Sequence, residues 1–145
     1  MPDKLKVSCF NCGVTNYYPL NVEGKNIICG RCKNVLPIPG TVLEVSPERA
    51  FNLLRNSSLP VLIDFYSLIC APCQMMHPIL ERLAKRRAGE IMVTKVNVDE
   101  HPEAASHFGV QGVPTFLLVH KGYEKGRTSG AMSEADFSLW VASRA

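Results

Sequence analysis

The chain has 145 residues, 46% hydrophobic and 20% charged, with 16 Lys and Arg against 13 Asp and Glu. That composition excludes a disordered polyelectrolyte and leaves room for one ordinary domain with a true core plus a small appendage. No apolar run approaches the roughly 20 residues that span a bilayer.

The first residues, Met1 to Ser8, carry no apolar segment of a signal peptide, so the expectation is a cytoplasmic protein without membrane contact. Six cysteines in a reducing compartment point to metal binding or catalysis before structural disulfides. The formal charge of +3 sits entirely in residues 1–40, where five Lys and Arg face two Asp and Glu; residues 41–145 hold eleven of each. Four thiolates around one divalent ion would reduce the N-terminal excess to about +1. A nucleic-acid footprint is therefore not expected.

In chain order, Cys9-Phe10-Asn11-Cys12 is followed after sixteen residues by Cys29-Gly30-Arg31-Cys32. Two CxxC knuckles at this spacing fit a zinc ribbon, because each turn places two sulfurs on one side and two turns complete a tetrahedron at about 2.3 Å per Zn–S bond. About forty residues build no stable core unaided, so metal binding there is folding free energy. A shell of four cysteines has no open position, which makes the ion structural; two disulfides are the alternative. Thr15 to Leu20 and Lys25 to Ile28 read as short strands joined at Glu23-Gly24. Leu36-Pro37-Ile38-Pro39-Gly40 breaks regular structure and reads as a connector. The expected division is 1–36 ribbon, 37–40 linker and 41–145 main domain.

Thr41 to Ser46 reads as a strand. Ser46-Pro47 opens a helix carrying Ala50, Leu53 and Leu54. Val61 to Tyr66 is nearly continuously apolar, as in a central strand covered on both faces, and Asp64 interrupts it at a cost when ionised. Cys70-Ala71-Pro72-Cys73 then opens a helix running to about Arg87. Pro72 suits the first helical position, and the helix N-terminus stabilises a thiolate. A CxxC pair so placed reads as redox, with half of a metal site as the alternative. Pro78 predicts a kink near 74–78, and the Met75-Met76 pair reads as helix core. Glu90 to Asp99 reads as a strand, Glu100 to Phe108 as a short helix ending at Gly109, and Phe116 to His120 as a strand. Lys121-Gly122 turns into Tyr123 to Ser129, and Ser133 caps a last helix. The order βαβαβαββα over 41–145 implies an α/β domain, a mixed sheet with helices on both faces. Of the histidines His77, His101, His107 and His120, none is spaced to complete the ribbon; His77, one turn past Cys73, reads as a partly exposed helix position, with tuning of Cys73 as the alternative.

These residues carry a resemblance. Asp64-Phe65-Tyr66, Cys70-Ala71-Pro72-Cys73, Pro78, Lys95 to Asp99, Val113-Pro114-Thr115 and Gly130-Ala131 are similar, in register, to the thioredoxin family. With the four-cysteine segment, the whole chain resembles the zinc-ribbon thioredoxins, the thioredoxin 2 type. The resemblance implies a thioredoxin fold preceded by a small zinc ribbon, and a protein-disulfide reductase. Cys70 would attack a substrate disulfide and Cys73 would resolve the mixed disulfide. Asp64 would move a proton for Cys73, with Lys95 paired to it. Val113-Pro114 would be cis, and Ile69, Gly112, Val113, Pro114, Gly130 and Ala131 would line a shallow groove for an extended substrate.

The implied cofactor is one structural zinc at Cys9, Cys12, Cys29 and Cys32, with no bound flavin or NADPH, since no Gly-rich dinucleotide fingerprint occurs. The implied partners are disulfide-containing proteins and an NADPH-dependent thioredoxin reductase, met by a monomer. Three departures stand out: Ile69 and Tyr66 replace the usual tryptophans, and Ala71 replaces glycine. They bear on redox poise and substrate range, so oxidase or isomerase chemistry and a zinc-ribbon module that only binds a partner are the competing readings. A ribbon acting as a redox switch, losing zinc on oxidation, is a variant of the reductase reading.

Overall fold

The computed structural model describes residues 4–9, 12–19, 27–34, 36, 40–57 and 59–145. The described residues build two sheets. In the first, β1 (Lys4–Ser8) pairs antiparallel with β2 (Thr15–Pro19), so that Ser8 faces Thr15 across the first cysteine knuckle. The sequence reading missed β1 and paired β2 with residues 25–28. Lys25 and Asn26 lie outside the described residues, and Ile28 makes an isolated bridge. A metal-type knuckle in place of a two-residue turn hid the hairpin: Gly13 donates its amide to the Cys9 carbonyl at 2.9 Å with φ 82°, a left-handed conformation that favours glycine.

The second sheet contains β3 (Val42–Glu44), β4 (Val61–Tyr66), β5 (Met92–Asn97), β6 (Thr115–His120) and β7 (Tyr123–Ser129), in the order β3-β5-β4-β6-β7. β5 runs parallel to β3 and β4, whereas β6 and β7 are antiparallel. Four helices connect them: α1 (Pro47–Asn56), α2 (Ala71–Arg86), α3 (Glu103–Phe108) and α4 (Glu134–Arg144). The expected order of elements is observed. α3 starts three residues later than the sequence reading placed it, because Pro102 disfavours helical backbone in the residue before it.

Side chains of β4 alternate between two cores. Ile63 and Phe65 pack with Ala50 and Leu53 of α1 and Ala104 and Phe108 of α3. Leu62 packs with Met76, Leu80 and Leu83 of α2 and Phe137 and Val141 of α4. Every residue of β4 is buried, as expected for a central strand. Pro78 lies inside α2, which continues through it. Met76 is fully buried but Met75 is 66% exposed, which corrects the reading of both as core. Neighbours on a helix point about 100° apart and cannot both face one sheet.

The cysteine segment joins the α1 and α3 side of the sheet. Cys9, Tyr18, Cys29 and Leu36 are buried in the same cluster as Val45, Ala50 and Leu53. An Arg49 guanidinium N–H from α1 reaches the Asn34 side-chain oxygen at 3.5 Å. Pro37, Ile38 and Pro39 of the expected linker lie outside the described residues.

Candidate active site

Cys70 and Cys73 form a disulfide, with Cα atoms 5.2 Å apart. Cys70 is the N-cap of α2: its backbone is extended and its Sγ accepts the Cys73 amide at 3.2 Å. The sulfur therefore sits where unpaired amides and the helix dipole favour negative charge. Cys73, one turn further, is fully buried; Cys70 is partly exposed, and Ile69 before it is 93% exposed.

A second loop closes over the pair. The Val113–Pro114 bond is cis, and the Val113 carbonyl oxygen lies 3.7 Å from Cys70 Sγ. The Gly130 amide donates to the Pro114 carbonyl at 2.9 Å, and the Thr115 hydroxyl lies 3.0 Å from that of Ser129, so the 112–114 and 129–131 segments are tied together. Gly112 and Ala131 are exposed beside these ties and Val113 is half-buried. Leu68 and Met75, 60% and 66% exposed, extend the apolar surface around Cys70; the sequence reading did not assign them to it.

Beneath lies Asp64, fully buried with neither carboxylate oxygen hydrogen-bonded within the described protein. Burial pushes its carboxyl up to about 7, against the pull of the Lys95 ammonium. Asp64 and Lys95 are register partners across β4 and β5. They do not hydrogen-bond: Lys95 Nζ lies over the Tyr66 ring, 5.4 Å from its centre. Tyr66 in turn meets the His77 ring edge-on, with centres 5.2 Å apart. Asp64 and Tyr66 share the pleat of Leu62 and so face the α2 layer that carries Cys73.

The other four cysteines are not joined in disulfides, and their Sγ atoms all lie within 4.8 Å of one another. Cys9 and Cys32 are 3.5 Å apart and Cys12 and Cys29 3.6 Å, close to the about 3.8 Å edge of a tetrahedron with bonds of about 2.3 Å. The donors around them suit thiolates: Arg31 N and Asn16 Nδ2 point to Cys29 Sγ at 3.4 and 3.5 Å, and Asn34 Nδ2 to Cys32 Sγ at 3.3 Å. Backbone hydrogen bonding at Cys32 is the main cause that holds the Cys29 thiol down at about 7. These four residues can hold a metal ion.

A cysteine pair at a helix N-terminus beneath a cis-proline loop, on a mixed sheet flanked by helices, defines a thiol–disulfide oxidoreductase. Residues 41–143 match the thioredoxin family. The chain belongs to that family, and its chemistry is thioredoxin-type dithiol–disulfide exchange. It is 31% identical to thioredoxin C-3 of Corynebacterium nephridii over 135 residues, 93% of this chain and 92% of the relative. Because residues 41–145 supply at most 105 of those positions, that similarity reaches at least 30 residues into the cysteine segment. Thioredoxin 1 of Chlorobaculum tepidum is 47% identical over 81 residues, 56% of this chain and 80% of the relative. Among solved structures, a mutant thioredoxin from Halobacterium salinarum NRC-1 superimposes with a TM-score of 0.65 at 33% identity, covering 73% of this chain and 92% of that one. Among the described residues no helix is long and apolar enough to cross a membrane.

Proposed function

We propose that the chain is a general protein-disulfide reductase. The observation that carries this reading is the Cys70–Cys73 disulfide at the N-terminus of α2, with the Val113 carbonyl beside Cys70. In the reduced chain Cys70 is the exposed thiolate. It attacks one sulfur of a substrate disulfide, forming a mixed disulfide and expelling the other sulfur as a thiolate. Cys73 then gives its proton to the Asp64 carboxylate and attacks Cys70 Sγ. The Cys70–Cys73 bond forms, the mixed disulfide breaks, and the substrate leaves with two thiols. The two electrons gained by the substrate are those lost by the cysteine pair.

Lys95 limits how far burial raises the Asp64 carboxyl, so that near neutral pH it both accepts and returns a proton. Ile69, Gly112, Val113, Pro114, Gly130 and Ala131 form the groove for an extended substrate segment. Zinc at Cys9, Cys12, Cys29 and Cys32 holds the N-terminal segment together and takes no part in exchange. The natural electron donor is an NADPH-dependent thioredoxin reductase, acting on a cytoplasmic monomer whose ribbon occupies 1–36, its linker 37–40 and its catalytic domain 41–145.

The experiment is reduction of insulin disulfides under dithiothreitol by the whole chain and by Cys70→Ser. Loss of catalysis in the variant is expected. Undiminished activity in Cys70→Ser overturns the reading.

A further inference from the structure

Asp64 presents a difficulty that the exchange chemistry does not resolve. A carboxyl with no exposure and no hydrogen-bond partner must still return its proton to solvent in every cycle. Tyr66, two residues along β4 from Asp64, packs against a second orphan. The Nε2 atom of His77 is buried and meets no hydrogen-bond partner among the described residues. His77, Leu80 and Glu81, on one face of α2, line a narrow cleft open to solvent, with room of about 10 Å³, together with Val42 of β3 and Lys95 of β5. That volume is on the order of what one water requires, and the walls offer it three polar side chains. The same Val42, Glu81 and Lys95 also line a larger open cavity of about 270 Å³ with Gly40 and Thr41. Lys95 thus stands beside Asp64 at one end and beside both spaces at the other.

We propose that His77 is a positioning residue that fixes a single water against Lys95, and that this water connects Asp64, through the Lys95 ammonium, to the open cavity. The inference rests on the reading of Asp64 as the proton acceptor for Cys73. The Lys95 ammonium first gives one of its protons to the water, and the neutral amine so formed takes the proton of Asp64 as the Asp64 O–H bond breaks. The water releases a proton to solvent in the cavity. Lys95, the water and His77 end as they began, and no electrons move.

The surroundings keep His77 in the form this task needs. Burial first, and the Lys95 ammonium second, hold its imidazole below its ordinary value of 6.5, while Glu81 on its own helix and Glu44 of β3 pull the other way. Tyr66 of β4 packs against the ring edge-on. A neutral ring beside the Lys95 cation keeps one nitrogen able to accept from a water.

The test uses the full chain and three variants. His77→Leu replaces the ring nitrogens with an apolar side chain, His77→Gln keeps a polar group, and Val42→Leu adds a methylene to the wall of the cleft. Single-turnover reduction of a disulfide is followed against pH in H2O and D2O. His77→Leu and Val42→Leu are expected to slow the Cys73 step by roughly tenfold, a fraction of what a general acid–base supplies. They should also raise the solvent isotope effect and leave substrate affinity unchanged, and His77→Gln should restore most of the rate. A purely structural role for His77 moves the melting temperature but neither the pH profile nor the isotope effect, and that outcome overturns the proposal. Rates, profile and isotope effect that match the parent in His77→Leu and Val42→Leu also overturn it. Cys70→Ser, run alongside, separates the two claims: exchange that survives that substitution rejects the functional reading itself.

Discussion

The Asp99 carboxylate accepts a hydrogen bond from the Ser67 hydroxyl at 2.7 Å, and its same oxygen takes the Leu68 amide at 3.2 Å. Ser67 passes the restraint on, because its Oγ accepts the Ile69 amide at 3.3 Å. The turn after β5 thereby fixes the three residues that deliver Cys70 from β4 to α2. Asp99 is itself held by the Asn97 side chain, which accepts the Asp99 amide at 2.9 Å. Asp99→Ala removes this acceptor and leaves the Ser67 and Leu68 donors to solvent. It should lower stability by about 1 kcal/mol and change the equilibrium of the cysteine pair with glutathione. Urea unfolding and a glutathione titration read the two effects. Parent values in both would show that the tie does not hold the loop.

Asp64 makes oxidised-state stability depend on pH with a sign opposite to most carboxylates. Its folded value, about 7, lies above its ordinary value of 3.8, so the folded chain binds the extra proton between those limits. The stabilisation is complete below about 4 and is lost as pH rises through about 7. Asp64→Asn abolishes this dependence. The variant should gain on the parent as pH rises, by on the order of 4 kcal/mol at most above pH 7. Guanidinium unfolding of both oxidised proteins at pH 4 and pH 8 checks it. An equal difference at the two pH values would contradict the buried, raised carboxyl.

The cysteine cluster shares a core with the catalytic domain, since Cys9, Cys29 and Leu36 pack in one cluster with Val45, Ala50 and Leu53. Chelation of a metal held by these four cysteines should therefore lower the melting temperature of the whole chain and not only of its first forty residues. Asn34→Ala tests the link at a smaller scale, because Asn34 donates to Cys32 Sγ and accepts from Arg49 of α1. Loss of such an outer contact costs roughly 10–100-fold in metal affinity. Competition with a chromophoric zinc chelator measures that affinity, and an unchanged value would remove Asn34 from the metal's support.

The fold was legible wherever one local rule decided it. β4 was readable from six consecutive residues with a single polar interruption, and α1 and α4 from Ser46 and Ser133, which cap them as expected by accepting the Arg49 and Asp136 amides. The cysteine pairs and the Val113–Pro114 turn stand in the sequence as motifs, so the residues of the candidate site could be named in advance. Their spatial relations could not. The Asp99–Ser67 contact joins residues 32 positions apart, and no periodicity announces it. The Lys95 ammonium acts on Asp64 as a charge, and its Nζ also lies over the Tyr66 ring, a contact that no motif announces. Met75 was hidden by its neighbour, because adjacent apolar residues on a helix leave open which one the sheet covers.

The central claim is that Cys70 attacks and Cys73 resolves, and trapping measures it most directly. Reduced Cys73→Ser, mixed with a protein disulfide and analysed by mass spectrometry after proteolysis, cannot complete the second step. A stable covalent adduct joined through Cys70, absent with the parent chain, is the expected result. No adduct, or one joined only through Cys9, Cys12, Cys29 or Cys32, would contradict it.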